Sequence, residues 1–293
     1  MERGAIDLGS IPGGFDLQST LESGQTYLWG RDDGETYTAT GRHGGSAWYH
    51  AVVDGEAVRA RQVDGRLEWR ATTDATELLR RRLRLDDDLD AIMAATPDDS
   101  LLEAAYDAYP GMRLVRDPFF PCLVSFICSA QMRVERIFAM QRNLAFEYGE
   151  PVALGGETYR TYPTPARLAA ASEAELRDLG LGYRAPYVVE TARQLAGGEL
   201  EPADLPDGYE AAREALTGYA GVGQKVADCV CLFSLGHLEA VPLDTWIRRA
   251  IAEHYPDCER GSYAETSRAV RERFGPYAGY AQTYVFHFLR HRK

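Results

Sequence analysis

Lysine is almost missing from this 293-residue chain: two occur, Lys225 and Lys293, against thirty arginines. Arginine replaces lysine in most cationic tasks, because its guanidinium keeps its proton and binds anions through a fork of donors. It cannot replace an amine that has to lose its proton and attack carbon. The survival of Lys225 in mid-chain therefore marks a candidate nucleophile. A phosphate-binding lysine is the alternative, although arginine serves that purpose at least as well.

Cysteine is scarce too. The five present (Cys122, Cys128, Cys229, Cys231, Cys258) are odd in number and lack paired C-x-x-C spacing. That pattern argues against a disulfide framework and against cysteine-ligated zinc. No run of eighteen apolar residues occurs, and the N-terminus MERGAIDLGS has no signal-peptide core. An intracellular protein with no membrane partner is expected. Positive charge is lacking as well, since the formal net charge is −12 at pH 7. Phosphate contact normally wants a basic surface. Either the chain does not bind nucleic acid, or its acidity is a solvated shell tuned to high salt. Lysine depletion and abundant Asp and Glu fit the shell, with a GC-rich genome a plainer source of the arginine bias.

What is present centres on Leu216 to Arg249. A helix-like run, EAAREAL, ends at Leu216, the glycine turn Gly218 to Gly223 follows, and QKVADCVCLFSL starts a second helix. Gly221 and Gly223 let the backbone approach a phosphodiester while the new helix points its first N–H groups at it. Lys225 stands in that helix's first turn, and Cys229 is on the same face at i+4. Asp244 follows Val-Pro-Leu and precedes Thr-Trp-Ile-Arg-Arg, where it reads as a helix N-cap.

GVGQKVADC followed by VPLD resembles the helix-hairpin-helix, Gly/Pro-Asp signature of base-excision DNA glycosylases. With SFICS upstream and FGPYAGYAQ downstream, the wording is similar to the 8-oxoguanine DNA glycosylases with lyase activity, from about Leu17 onward. The resemblance implies a duplex DNA partner containing oxidised guanine. It also implies a nucleophilic Lys225, Asp244 as stabiliser of oxocarbenium charge, and no metal or organic cofactor. Iron–sulfur relatives carry four clustered C-terminal cysteines, which this sequence lacks. A monomer is expected. Two rivals are a glycosylase of the same fold for another damaged or mismatched base, and a non-catalytic helix-hairpin-helix DNA-binding protein.

The expected class is α+β, with an N-terminal antiparallel β domain over 1–78 and a mainly helical domain over 79–293. YTATG, AWYHAVV, AVRARQV and RLEWRA read as short strands, with Asp33-Gly34, Asp54-Gly55 and Asp64-Gly65 as turns. From Thr73 the pattern turns helical. Asp86-Asp87-Asp88 reads as a helix start rather than a metal site. Asp117-Pro118 reads as a cap with proline at the first helical position, opening the apolar helix FFPCLVSFICS.

Further site residues come from the resemblance. The Gly24 carbonyl, inside LESGQTYLW, accepts a hydrogen bond from the N7–H that only oxidised guanine has; on the residues alone Gly24 is an ordinary turn glycine. Cys229 and Phe286 flank the flipped base and Gln282 bonds its Watson–Crick edge, although Phe286 also fits an aromatic core stripe. The corner facing the orphaned cytosine usually holds consecutive asparagines; here it reads Gln131-Met132-Arg133, with Gln131 or Met132 filling the gap. Arg136 matches the cytosine-contacting arginine, and equally a surface arginine. Tyr183 and Arg184 form a wedge-and-read pair in a second glycine-bounded turn, or a helix end with a packed tyrosine. Trp246 stands where relatives place a phosphate-contacting histidine.

Overall fold

The computed structural model describes residues 1–37, 47–198 and 202–291. Five strands, β1 (Glu2–Asp7), β2 (Gly30–Arg31), β3 (Tyr49–Val53), β4 (Glu56–Val63) and β5 (Arg66–Ala71), form an antiparallel sheet ordered β1-β5-β4-β3-β2. β3 and β5 alternate buried and half-exposed residues, so one face is core. Asp54-Gly55 and Asp64-Gly65 all adopt positive φ, the two-residue geometry whose twist matches the flanking strands. The strand expected at YTATG lies, beyond Tyr37, outside the described residues. β1 gave no alternating signal because only Ile6 of it is buried. Gly4 sits where a Cβ would come within 2.5 Å of the Trp69 ring.

Helix α1 (Leu17–Glu22) is inserted between β1 and β2. After the sheet come α2 (Thr76–Arg82), α3 (Leu89–Ala94) and α4 (Ser100–Ala108). Residues 78 and 79 thus lie within one helix. α5 (Phe119–Cys128) and α6 (Val134–Tyr148) lead to a small hairpin, β6 (Pro151–Leu154) and β7 (Glu157–Arg160), which the sequence pattern did not announce. α7 (Pro165–Ala169), α8 (Glu173–Asp178), α9 (Ala185–Ala196), α10 (Tyr209–Leu216), α11 (Gln224–Val230), α12 (Thr245–His254), α13 (Tyr263–Phe274) and α14 (Ala278–His291) complete the chain.

One hydrophobic core runs from the sheet through the helices, and α5 is buried nearly all round within it. Arg113, fully buried, ties the units together by donating to the carbonyls of Pro12, Gly14, Arg84 and Asp87. Of the three consecutive aspartates, Asp88 caps α3, Asp87 accepts from Tyr280 and Asp86 pairs with Arg80. Among the described residues no cluster fit to hold a metal ion occurs, and no helix is long and apolar enough to cross a membrane.

The cap of α5 differs from expectation. Pro118, not Asp117, occupies the cap position, and no side chain caps the helix. Asp117 instead turns inward: its carboxylate takes a hydrogen bond from Thr26, its N–H donates to the Phe233 carbonyl at 2.7 Å, and its own carbonyl accepts from Ser234. Burial pushes the Asp117 carboxyl up to about 7, against the smaller opposing effects of Thr26 and the Arg82 charge.

The folded protein therefore takes up this proton as pH falls through about 7, whereas the unfolded chain waits until an ordinary aspartate value. Between those values the native state binds more protons, so this group makes the protein more stable as pH falls. Asp117→Asn should remove that dependence. The stability difference between variant and parent should move in the variant's favour by ~3–4 kcal/mol from about pH 4.5 to about pH 8. Urea unfolding at both pH values checks this, and a pH-independent difference would contradict it.

Candidate active site

The glycine turn between α10 and α11 is built as a close approach. Gly221 has φ +75°, and a Cβ there would lie 2.6 Å from the Cβ of Tyr187. Conformation and space both require glycine. Gly223 is the cap residue of α11, extended and open to solvent, and Gln224 beside it is exposed as well. α11 continues as one π-turn, Cys231–Leu235, closed by left-handed Gly236.

Lys225, half-buried in the first turn of α11, borders a cavity of about 710 Å³. Its Nζ donates to Ser129 Oγ at 2.8 Å and lies 5.3 Å from the centre of the Phe126 ring. Cys229, one turn on, is buried at the same wall; burial pushes its thiol up to about 12, against the pull of the neighbouring Lys225 charge. It is therefore a neutral contact surface. Asp244 caps α12, accepting from the Ile247 N–H at 2.8 Å. Burial raises its carboxyl above the usual range; the backbone bonds and the Lys225 and Arg290 charges work the other way.

Gly24, Gln282, Phe286 and Trp246 line the same cavity, so all seven expected catalytic, base-contacting and Trp246 positions converge from the turn after α1, from α11, from the start of α12 and from α14. Phe286 is half-buried while its stripe neighbours Tyr280 and Tyr284 are core. The aromatic stripe and the pocket thus use different faces of one helix.

Three wall residues were not singled out in the sequence. Ser129 lies 96 positions from the lysine it contacts, and no local spacing announces that meeting. Tyr27 is buried behind the cavity, its hydroxyl held well above the ordinary range by desolvation. Arg290 is one of thirty arginines, and only the fold brings it against the Ser23 carbonyl.

The expected DNA-facing residues lie outside the cavity or at its rim. Tyr183 is 57% exposed and Arg136 is exposed at the start of α6. Gln131 is exposed with φ +52°, whereas Met132 and Arg133 of the same turn line the cavity. Arg184 departs from expectation. It is 4% exposed, stacks over the Tyr183 ring at 4.3 Å and donates to the Ala130 carbonyl. As placed, it braces the Ser129–Gln131 turn rather than offering a free fork to a base edge.

Comparison with known proteins agrees with this geometry. Residues 124–276 match the model of the HhH-GPD superfamily base excision DNA repair protein, and residues 10–123 match the N-terminal domain of 8-oxoguanine DNA glycosylase. A probable N-glycosylase/DNA lyase of Methanothermobacter thermautotrophicus is 35% identical over 215 residues, covering 66% of this chain and 68% of its own. MBOgg1, in complex with a low-affinity DNA ligand, superposes with a TM-score of 0.84 at 28% identity, covering 99% of each chain. The Clostridium acetobutylicum 8-oxoguanine glycosylase/lyase, in complex with double-stranded DNA containing cytosine opposite 8-oxoguanine, gives 0.82 at 27% identity, covering 94% of this chain and 92% of its own. With a glycine-turned hairpin, an amine and a capping carboxylate meeting at one cavity, the chain belongs to the helix-hairpin-helix Gly/Pro-Asp superfamily of base excision DNA repair proteins, in the branch carrying the 8-oxoguanine DNA glycosylase N-terminal domain.

Proposed function

We propose that this protein is a bifunctional DNA glycosylase/AP lyase that excises 8-oxoguanine from duplex DNA, working inside the cell on chromosomal DNA. The observation that carries the reading is the amine of the one lysine among the described residues, held at a cavity wall with Asp244. A base inside the stack is out of reach, so the target nucleotide is extruded into the cavity. Phe286 and Cys229 take its two faces, and Gln282 takes its Watson–Crick edge. The exposed N-terminus of α11 and the flanking Gly221 and Gly223 hold a phosphate of the bent strand. Tyr183 fills the vacated stack, and Gln131, Arg136 and Trp246 contact the strands around it.

The neutral amine of Lys225 gives its lone pair to the sugar's anomeric carbon. The glycosidic bond breaks, and its electron pair leaves with the base, which takes up a proton. Asp244 offsets the positive charge that develops on the sugar ring. Opening of the ring gives a Schiff base; loss of a proton from C2′ then expels the 3′ phosphate and nicks the strand. Selection of the oxidised base rests on the Gly24 carbonyl, which attracts N7–H and repels the N7 lone pair of guanine.

Lys225→Gln should abolish borohydride trapping on an 8-oxoguanine:cytosine duplex while lesion binding stays within about threefold, since only the nucleophile is removed. A trapped complex from this variant would remove Lys225 from the mechanism. Ser129→Ala, which deletes the acceptor that aims the amine, should slow single-turnover excision roughly tenfold, the worth of one positioning hydrogen bond. An unchanged rate would show that Ser129 does not aim it.

The acidic surface makes a third expectation. If the −12 charge is a shell suited to high salt, excision persists or rises from low to molar potassium chloride. A protein relying on several phosphate contacts loses ~10³-fold or more in affinity over a fourfold rise. A steep monotonic loss with the fold intact would leave genome composition as the source of the bias.

A further inference from the structure

The turn that carries Gly24 is clamped from two sides. From within, the Gln25 side chain donates to the carbonyls of Thr20 (2.9 Å) and Arg113 (2.7 Å) and accepts from the Val115 N–H (2.8 Å). From the C-terminal helix, Arg290 on α14 donates to the Glu22 carbonyl at 2.7 Å and the Ser23 carbonyl at 3.2 Å. The guanidinium lies 5.6 Å from the Phe286 ring centre and 3.4 Å from His287 Nδ1. Gly24 itself has φ +92°, and a Cβ there would lie 3.0 Å from Arg290 Nη1. Among the described residues no hydrogen bond ends on the Gly24 carbonyl, although its two predecessors are both taken by Arg290.

We infer that Arg290 is a positioning residue for lesion specificity: it fixes the two peptides before Gly24 so that one unpaired carbonyl is presented to the base. The inference rests on the role given above to the Gly24 carbonyl. The clamp acts in two ways. It removes rotational freedom from a glycine turn that would otherwise sample several orientations. It also occupies the guanidinium donors. A free arginine beside the pocket would donate to the N7 lone pair of ordinary guanine and erode the discrimination that Gly24 provides. Lysine, with a single ammonium, cannot hold two successive carbonyls in a planar fork.

The test compares Arg290→Met and Arg290→Lys with the parent on three duplexes. One holds 8-oxoguanine, one an 8-substituted guanine that keeps the bulk but lacks the N7 hydrogen, and one a bare abasic site. Both variants should lose roughly tenfold or more in the rate ratio of 8-oxoguanine to the analogue, the scale of one lost polar contact. Excision of 8-oxoguanine should fall further than nicking of the abasic duplex, where no base is read. Equal losses on the lesion and abasic duplexes would make Arg290 a general support of the fold and overturn the inference. So would an unchanged ratio in variants whose thermal melting matches the parent. If the parent itself processes lesion and analogue equally, the Gly24 reading fails first, whatever the Arg290 variants do.

Discussion

An amine and a carboxylate have to border one cavity without neutralising each other, and the arrangement of this protein follows from that constraint. Left alone in a partly desolvated pocket, Lys225 and Asp244 would close into an ion pair. Among the described residues they form none. Asp244 is committed to the first turn of α12 through the Ile247 N–H, and Lys225 to Ser129 Oγ at the end of α5. The helix cap is thus more than a local stabiliser: it commits the carboxylate to the backbone at the cavity wall, away from the amine.

Holding those two groups apart requires a rigid frame, and Asp228 supplies part of it. This fully buried carboxylate accepts from Tyr209 on α10 and Tyr263 on α13, at 2.6 and 2.7 Å. Tyr263 in turn accepts from the Leu243 N–H, the residue before Asp244. One side chain, three residues beyond Lys225, therefore ties the lysine's helix to its hairpin partner and to the loop leading into Asp244. Burial raises Asp228 to about 6 against two tyrosine hydroxyls and the Arg213 and Arg271 charges, so the anion is held at a desolvation cost.

The hairpin, the place of Lys225 in its first turn, the Asp244 cap and the strands with Asp-Gly turns were legible because each is a local signal: a period, a cap or a turn residue. The meeting of Gly24, Cys229, Gln282 and Phe286 at one cavity was legible only by resemblance, since nothing local links α1 to α14. What escaped had no local trace. Ser129 looks like any residue ending an apolar helix, and Arg290 like any arginine. β1 carries one buried side chain. Asp117 followed the sequence rule for a cap, yet an interior partner, Thr26, competed for the same carboxylate and won. Arg184 failed for a similar reason, because a carbonyl at a tight turn lay within its reach.

The hydrogen bond from Arg290 to Ser23 spans 267 positions of chain, whereas the glycine-turned hairpin closes within a few residues of Gly221. Local structure forms without the entropy of closing a long loop; the cavity wall at Ser23 and Gly24 has to close a loop of nearly the whole chain. A chain opened at its last helix therefore keeps the hairpin but loses the Arg290 contacts and the α14 wall of the cavity. Formation of the cavity is tied in this way to completion of the whole fold.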